Sequence, residues 1–526
     1  MQEIGQEQER VFLQASLDAE KTQAERNRLG QFATPTTLAC DIVQFGVALL
    51  EKDSPIRFLD PAFGTGSFFS ALLQAVPSDR IESAKGFELD AHYGKPASQL
   101  WQDTPLDLEI ADFTRAKAPS EENRFNLIIC NPPYVRHHHI VNGEKGRLQD
   151  ATKVVCGVHI AGLAGLYCYF LGLSHAWMQR GGVAVWLIPS EFMDVNYGEA
   201  VKRYLVERVT LLRIHRFDPN DVQFDDALVS SAVVCFRNDP PPANFEVEFT
   251  FGGSLSTPKI TRFIPVVALR KEAKWTRFPT SDVREEIVRY RLSDFFTIKR
   301  GIATGDNKFF ILTGDEIEAR GLPREVFRPI LPSPRYVLGD EIKSDQEKLP
   351  ILDRQLFLLD CRLPEAEVKK RFPKLWEYLE GGKGTVSERY LCRSRKLWYF
   401  QEERPPAPIL CTYLGRSDAK SGRPFRFILN HSKATAANVY LLLYPKPVLA
   451  REISRDRSIL RRIWDVLNNL CPTSILGEGR VYGGGLHKLE PKELGNVDAT
   501  PIVDIVPELQ RRSRPIQSSL FDHETS

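Results

Sequence analysis

Three carboxylates and one turn in this 526-residue chain have the types and spacing to do chemistry. Asp60, Glu88 and Asp112 each stand at or just past the end of a short apolar run. The first of them opens the loop Asp60-Pro61-Ala62-Phe63-Gly64-Thr65-Gly66-Ser67. Glycines in such a loop let the backbone approach a ligand closely. An acid before the glycines can pair with an ammonium group. An acid at the end of a second strand can accept both hydroxyls of an adenosine ribose, and one after a third strand can receive an adenine amino group. Any of these alone is an ordinary cap or loop carboxylate; three in succession beside glycines point to an adenosine-bearing ligand. The loop lacks G-x-G-x-x-G, because Phe69 holds the third position, and this argues against a dinucleotide. The fourth feature, Asn131-Pro132-Pro133-Tyr134, follows directly on the apolar run Phe125–Cys130.

These residues need a frame that brings strand ends together. Ile56-Arg57-Phe58-Leu59 reads as a first strand, followed by the glycine turn and a helix from Ser67 to about Ala75. A second strand ends at Gly86-Phe87-Glu88, a third runs from Leu106 to Ala111, and Phe125–Cys130 is the fourth. A helix from about Leu163 to Gln179 precedes a fifth strand, Val183 to Ile188. Strands spaced by helical patterns predict a parallel α/β sheet covered on both faces. In such sheets ligands bind beyond the carboxyl ends of the strands, where strand order reverses. The β-branched run Ser231–Phe236 closes this part, and Asp239-Pro240-Pro241-Pro242 makes a stiff break after it.

The expected organisation is an N-terminal helical segment (1–30, with 8–29 as an exposed helix), an α/β domain (31–240) and a linker (241–290). An irregular α+β domain (291–510) and a polar tail (511–526) complete it. A composition of 42% apolar and 26% charged residues excludes wholesale disorder. No run of about 18 apolar residues and no signal-peptide core is present, so no membrane association is expected. The nine cysteines form no CxxC pair, which speaks against a disulfide framework or zinc cluster and for a reducing, cytoplasmic setting. His137-His138-His139 cannot all face one ion from an extended segment, and no metal is expected. Formal net charge is only +2, but between Arg389 and Arg426 nine Lys/Arg face three acids, with Trp398, Tyr399, Phe400 and Tyr413 among them. Such a stretch suits a phosphate backbone and unstacked bases, or a solvated face.

Taken in order over roughly residues 28–237, these motifs resemble the gamma-class, TaqI-like N6-adenine DNA methyltransferases of type II restriction–modification systems. The resemblance implies a Rossmann-like class I methyltransferase sheet with S-adenosylmethionine as cofactor. Gly30-Gln31-Phe32-Ala33-Thr34-Pro35 is similar to the N-terminal cofactor segment, with Thr34 at the methionine carboxylate. Asp60, Ala62, Gly64 and Gly66 fall in the glycine motif, Glu88 in the ribose motif, and Asp112 and Phe113 in the adenine motif. Asn131, Pro132 and Tyr134 fall in the catalytic motif. Phe224, with Phe217 as the alternative, resembles the aromatic that stacks on the target base from its other face. An adenine amino group is a poor nucleophile, because its lone pair is delocalised into the ring. The Asn131 side-chain oxygen and the Pro132 carbonyl can hold its hydrogens so that the nitrogen faces the sulfonium methyl. Tyr134 offers a face for the base and a π-cloud against the developing charge. The base must be flipped out of the duplex, at a cost of a few kcal/mol.

Arg300–Phe310 resembles the opening of the family's target-recognition domain, and Gly483–Pro491 its close. The implied partners are double-stranded DNA and a cognate restriction endonuclease on a separate chain, with the protein itself a monomer. Asn-Pro-Pro-Tyr also occurs in RNA and protein-glutamine methyltransferases, which would not be expected to carry these two C-terminal segments. A cytosine-N4 DNA methyltransferase more often has Ser where Asn131 stands. A fused nuclease would need a PD…(D/E)xK constellation, and none is convincing here.

Overall fold

The computed structural model of the protein describes residues 2–218, 230–279, 290–416, 423–470, 472–482 and 486–506. The chain divides into two compact units, with the main boundary between Arg284 and Glu285.

The first unit is built on a nine-stranded sheet. Its strands are β1 (Ile56–Asp60), β2 (Ile81–Phe87), β3 (Leu106–Glu109), β4 (Phe125–Cys130), β5 (Met178–Pro189), β6 (Thr210–Arg216), β7 (Ser231–Arg237), β8 (Glu246–Gly253) and β9 (Pro258–Pro265), in the order β3-β2-β1-β4-β5-β7-β6-β8-β9. The first five are mutually parallel. β7 inserts antiparallel between β5 and β6, so the sheet is mixed rather than wholly parallel. Central strands must be apolar on both faces, which explains why Leu127–Cys130 and Val183–Pro189 are buried throughout. The sheet also runs past the Pro240–Pro242 break. β8 pairs parallel with β6 and β9 antiparallel with β8, so much of 241–290 is sheet where a linker was expected. The prolines bend the chain back to the sheet edge; they do not end the unit.

Helices α1 (Gln2–Ala19), α2 (Gln23–Leu29), α3 (Thr36–Ala48), α4 (Ser67–Ala75), α5 (Ala91–Leu100), α6 (Asn142–Cys156), α7 (Leu166–Ser174) and α8 (Glu199–Glu207) complete the first unit. Local signals set their ends. Thr22 and Glu25 form a reciprocal capping box on α2, which stops at Gly30 in the left-handed region (φ 66°). Asp90 caps α5 by accepting from the His92 N–H. α1 departs from the expected exposed helix. Its Arg10 and Glu7 are buried, and Arg10 reaches Thr65 Oγ1 (3.2 Å) while Glu7 accepts from Ser70 Oγ. The helix is bolted to the glycine loop through polar side chains, a contact that apolar periodicity cannot reveal.

The second unit holds a five-stranded sheet in the order Phe296–Arg300, Tyr440–Pro445, Ile409–Thr412, Phe427–Asn430, Glu341–Ile342. Beside it stands a four-stranded sheet, Ile311–Thr313, Leu356–Leu359, Phe327–Leu331 and Thr435–Ala436. The aromatics of the basic stretch prove to be largely internal, and several of its arginines are tied to backbone carbonyls. Tyr399 and Tyr413 are buried and Trp398 packs against the core; the Arg426 guanidinium serves Asp340, Gly339 O and Pro334 O. Arg395 likewise donates to Ala303 O and Thr304 O. These arginines are committed to backbone carbonyls and Asp340, so a count of arginines overstates the cations left to meet a phosphate. Arg393, Lys396 and Tyr390 remain exposed. The polar tail 511–526 lies outside the described residues. No described helix is long and apolar enough to cross a membrane.

Candidate active site

Strand order reverses between β1 and β4, and the carboxyl ends of these two strands present Asp60 and Asn131 side by side in the fold. A cleft of about 800 Å³ opens there in the first unit. Ala62, Gly64, Glu88, Asp112, Phe113 and Asn131 all line it. The sequence therefore identified residues from four separate segments that the fold gathers into one cavity.

Their local geometry is specific. The Gly64 N–H donates to Glu88 Oε2 (2.9 Å) and the Asp90 N–H to Glu88 Oε1 (2.8 Å), so backbone donors orient this carboxylate; burial raises its pKa. Burial also pushes Asp90 up, but the Lys21 ammonium and the Gln31 amide on the same carboxylate hold it below its ordinary value. Asp112 Oδ1 accepts from both the N–H and the hydroxyl of Thr114 (2.9 and 2.8 Å). Phe113 is 2% exposed and packs among Phe87, Phe170 and Trp177. Phe170 also lines the cleft. Sequence analysis missed it, because one Phe in a helix as apolar as α7 carries no distinguishing signal.

Asp60 is buried beneath the glycine loop and accepts from the Ala62 N–H (3.1 Å). Burial drives its pKa up to about 8, with the nearby Glu88 carboxylate adding to the rise. The unfolded chain ionises near 3.8 and the folded one near 8, so stability falls as pH rises between those values. Asp60→Asn removes this penalty. Melting curves of the ligand-free protein are expected to show the variant gaining on the wild type from pH 5 to pH 8; a constant difference would contradict a buried, neutral Asp60.

The glycines differ in what they do. Gly64 has φ 58° with open space around a Cβ, whereas a Cβ on Gly66 (φ 92°) would meet Phe63 and Trp101 at 2.7 Å. Gly66 is thus demanded by packing beneath the loop, not by approach of a ligand.

Three contacts fix the Asn131–Tyr134 turn and its neighbour Val135. The Tyr134 N–H donates to Gly30 O (3.2 Å), its hydroxyl to Leu187 O (3.1 Å), and the Leu166 N–H to Val135 O (2.9 Å). Pro132 is buried, and the Tyr134 ring packs beside Phe32 at 5.6 Å. Asn131 Nδ2 donates to Phe32 O (3.0 Å) and Thr34 Oγ1 (3.1 Å). A carbonyl can only accept, so Phe32 O settles which end of the carboxamide is nitrogen. Asn131 Oδ1 is left buried with no partner. Thr34, expected at a methionine carboxylate, is buried, and its hydroxyl oxygen accepts from Asn131 Nδ2. Phe224 lies outside the described residues. Phe217, its alternative, is buried against His215 in the core. His137–His139 form a tight turn with their rings packed on one another, and His139 lines the cleft. Among the described residues no group of three or more His, Cys, Asp or Glu could hold a metal ion.

A sheet of this order, with an antiparallel seventh strand and a cleft over the β1 and β4 ends, is that of the class I methyltransferases. The family model described as Eco57I restriction-modification methylase matches residues 67–223, and that described as type II methyltransferase M.Eco57I, C-terminal domain, matches residues 278–522. The type II methyltransferase M.XamI of Xanthomonas campestris pv. amaranthicola is 29% identical over 476 residues, covering 89% of this chain and 84% of the relative. M.AccI of Acinetobacter calcoaceticus is 26% identical over 493 residues, with 89% and 85% covered. Among solved structures, the type IIL restriction-modification enzyme MmeI in complex with DNA aligns over 80% of this chain and 60% of its own, with 13% identity and a TM-score of 0.50. The chain belongs to the type II restriction–modification methyltransferases.

Proposed function

We propose that the protein transfers the methyl group of S-adenosylmethionine to the N6 amino group of an adenine flipped out of double-stranded DNA, as a gamma-class enzyme. In this role it protects DNA from a restriction endonuclease on a separate chain. The observation that carries this reading is the buried, unpartnered Oδ1 of Asn131 at the rim of the cleft. An orphaned buried acceptor costs about 1–3 kcal/mol, so it calls for a donor supplied by a ligand. An exocyclic amino group is such a donor. Phe32 O and Thr34 fix the other end of the carboxamide, so the acceptor is aimed before substrate arrives, which is where positional and electrostatic catalysis draws its advantage.

The cleft suits the cofactor for reasons independent of Asn131. Glu88 would hold the ribose hydroxyls and Asp112 the adenine amino group, with Phe113 and Phe170 beside the ring, while Asp60 lies buried beneath the glycine loop and braces it through the Ala62 N–H. When bound, S-adenosylmethionine supplies an electrophilic methyl group. The protein's part is to desolvate and orient the amine; its proton can leave to water after transfer. Arg393, Lys396 and Tyr390 of the second unit offer exposed cations and an aromatic ring for the DNA backbone.

Expression of the chain in a methylation-deficient host, followed by modification-sensitive sequencing of the genome, tests this reading. N6-methyladenine at one short recurring sequence is expected. Modified cytosine instead, or unmodified DNA beside methylated RNA or protein, would overturn it.

A further inference from the structure

α6 is the helix that follows the catalytic turn, and it carries two side chains that the cofactor contacts above do not use. Arg147 Nη1 donates to Thr114 O (2.8 Å), Nη2 to Thr114 Oγ1 (2.8 Å), and Nε to Glu144 Oε2 (3.0 Å). The other oxygen of Glu144 receives Arg115 Nη2, and Arg115 Nε lies 3.5 Å from Asp112 Oδ2. Thr114 in turn donates to Asp112 Oδ1. The five side chains close a ring that joins α6 to the loop after β3, and all but Arg115 line the cleft.

Surface ion pairs between neighbouring helical residues contribute little, and Arg147 with Glu144 alone would be such a pair. The contacts to Thr114 change the case. The guanidinium spans a backbone carbonyl and a hydroxyl in fixed fork geometry, which holds the Thr114 hydroxyl in the rotamer that donates to Asp112. Asp112 Oδ1 then accepts from both donors of Thr114, and Oδ2, with Arg115 Nε 3.5 Å away, keeps the remaining capacity for an amino hydrogen.

We infer that Arg147 and Glu144 are positioning residues of the cofactor site: through Thr114 they orient the Asp112 carboxylate and so set recognition of the adenine 6-amino group. This inference rests on the S-adenosylmethionine reading of the cleft. It also makes the segment after the Asn131–Tyr134 turn part of the adenine pocket, since Ile140 and Val141, just before α6, line the same cleft.

Calorimetric binding of S-adenosylhomocysteine and S-inosylhomocysteine, which differ at the 6-position, tests the assignment on the full chain. Loss of one charge-assisted contact corresponds to about tenfold in affinity, so the wild type is expected to prefer the adenosyl compound by about that factor or more. Arg147→Met and Glu144→Gln are expected to reduce the preference to about threefold or less. In turnover they should raise KM for the donor more than they lower kcat. Thr114→Val should have the same effect, and combined with Arg147→Met it should add nothing, as for members of one network. Should Arg147→Met fail to fold, Glu144→Gln and Thr114→Val carry the same comparison. Variants that keep the wild-type preference overturn the role of the ring. A wild type that binds neither compound overturns the cofactor reading itself, and with it this inference.

Discussion

Asn131→Ala is expected to lower methyl transfer on the order of 10²–10³-fold while donor affinity stays within a few fold, the loss typical when one preorganised polar group is removed from a transition state. The geometry explains why the effect should fall on rate. The carboxamide of Asn131 is held on its nitrogen side by Phe32 O and Thr34 Oγ1, and its oxygen is buried without a partner. An amino group entering the site gives that oxygen its donor, and the interaction strengthens as the nitrogen becomes positive. Removing the side chain deletes a contact that matters most in the transition state, so kcat falls and the donor's binding constant does not. Isothermal titration with S-adenosylhomocysteine and single-turnover kinetics separate the two. Near-normal turnover by the variant would remove Asn131 from the catalytic role.

Gly30→Ala is expected to reduce kcat on the order of 10²-fold in a folded protein, although residue 30 lies far from the turn in sequence. Gly30 sits at φ 66°, where a Cβ alone is strained by about 1–2 kcal/mol. More important, that Cβ would stand 2.3 Å from the Tyr134 nitrogen and 2.8 Å from the Val135 nitrogen. Both are backbone atoms of the catalytic turn, so no rotamer change relieves the overlap and the turn must shift. A displacement of about 1 Å at a positioned reactive group is worth about 10²-fold in rate. The Tyr134 N–H also loses its aim at Gly30 O. Circular dichroism should show a native-like spectrum with activity lost. Full activity in Gly30→Ala would mean that the turn does not depend on this packing.

The parts of the site legible in the sequence share one property: strand period and punctuation determine them locally. Asp60, Glu88 and Asp112 are found by asking where apolar runs stop, and the fold then necessarily collects parallel strand ends at one edge. Asn131 is legible for the same reason. What escaped depends on contacts distant in sequence. Thr34, read as a ligand contact, also orients Asn131, 97 positions away. Arg10 looked solvated because the helix around it is charged, yet Glu7, Thr65 and Thr36 enclose it with polar partners. β8 and β9 were hidden by Pro240–Pro242, which marks a change of direction as readily as a domain edge. The basic run after Arg389 was legible only in part, because a count of arginines does not tell those that serve carbonyls, such as Arg395 and Arg426, from those that face solvent, such as Arg393.

The proposed role of Asn131 is to prepare an adenine amino group for methylation in duplex DNA. Its most direct test is mass spectrometry of nucleosides from DNA treated with the purified protein and S-adenosylmethionine bearing a trideuterated methyl group. Deuterated N6-methyl-2′-deoxyadenosine is the expected product, absent when Asn131→Ala replaces the wild type. Label on cytosine, label that persists in the variant, or no label in DNA at all would contradict it.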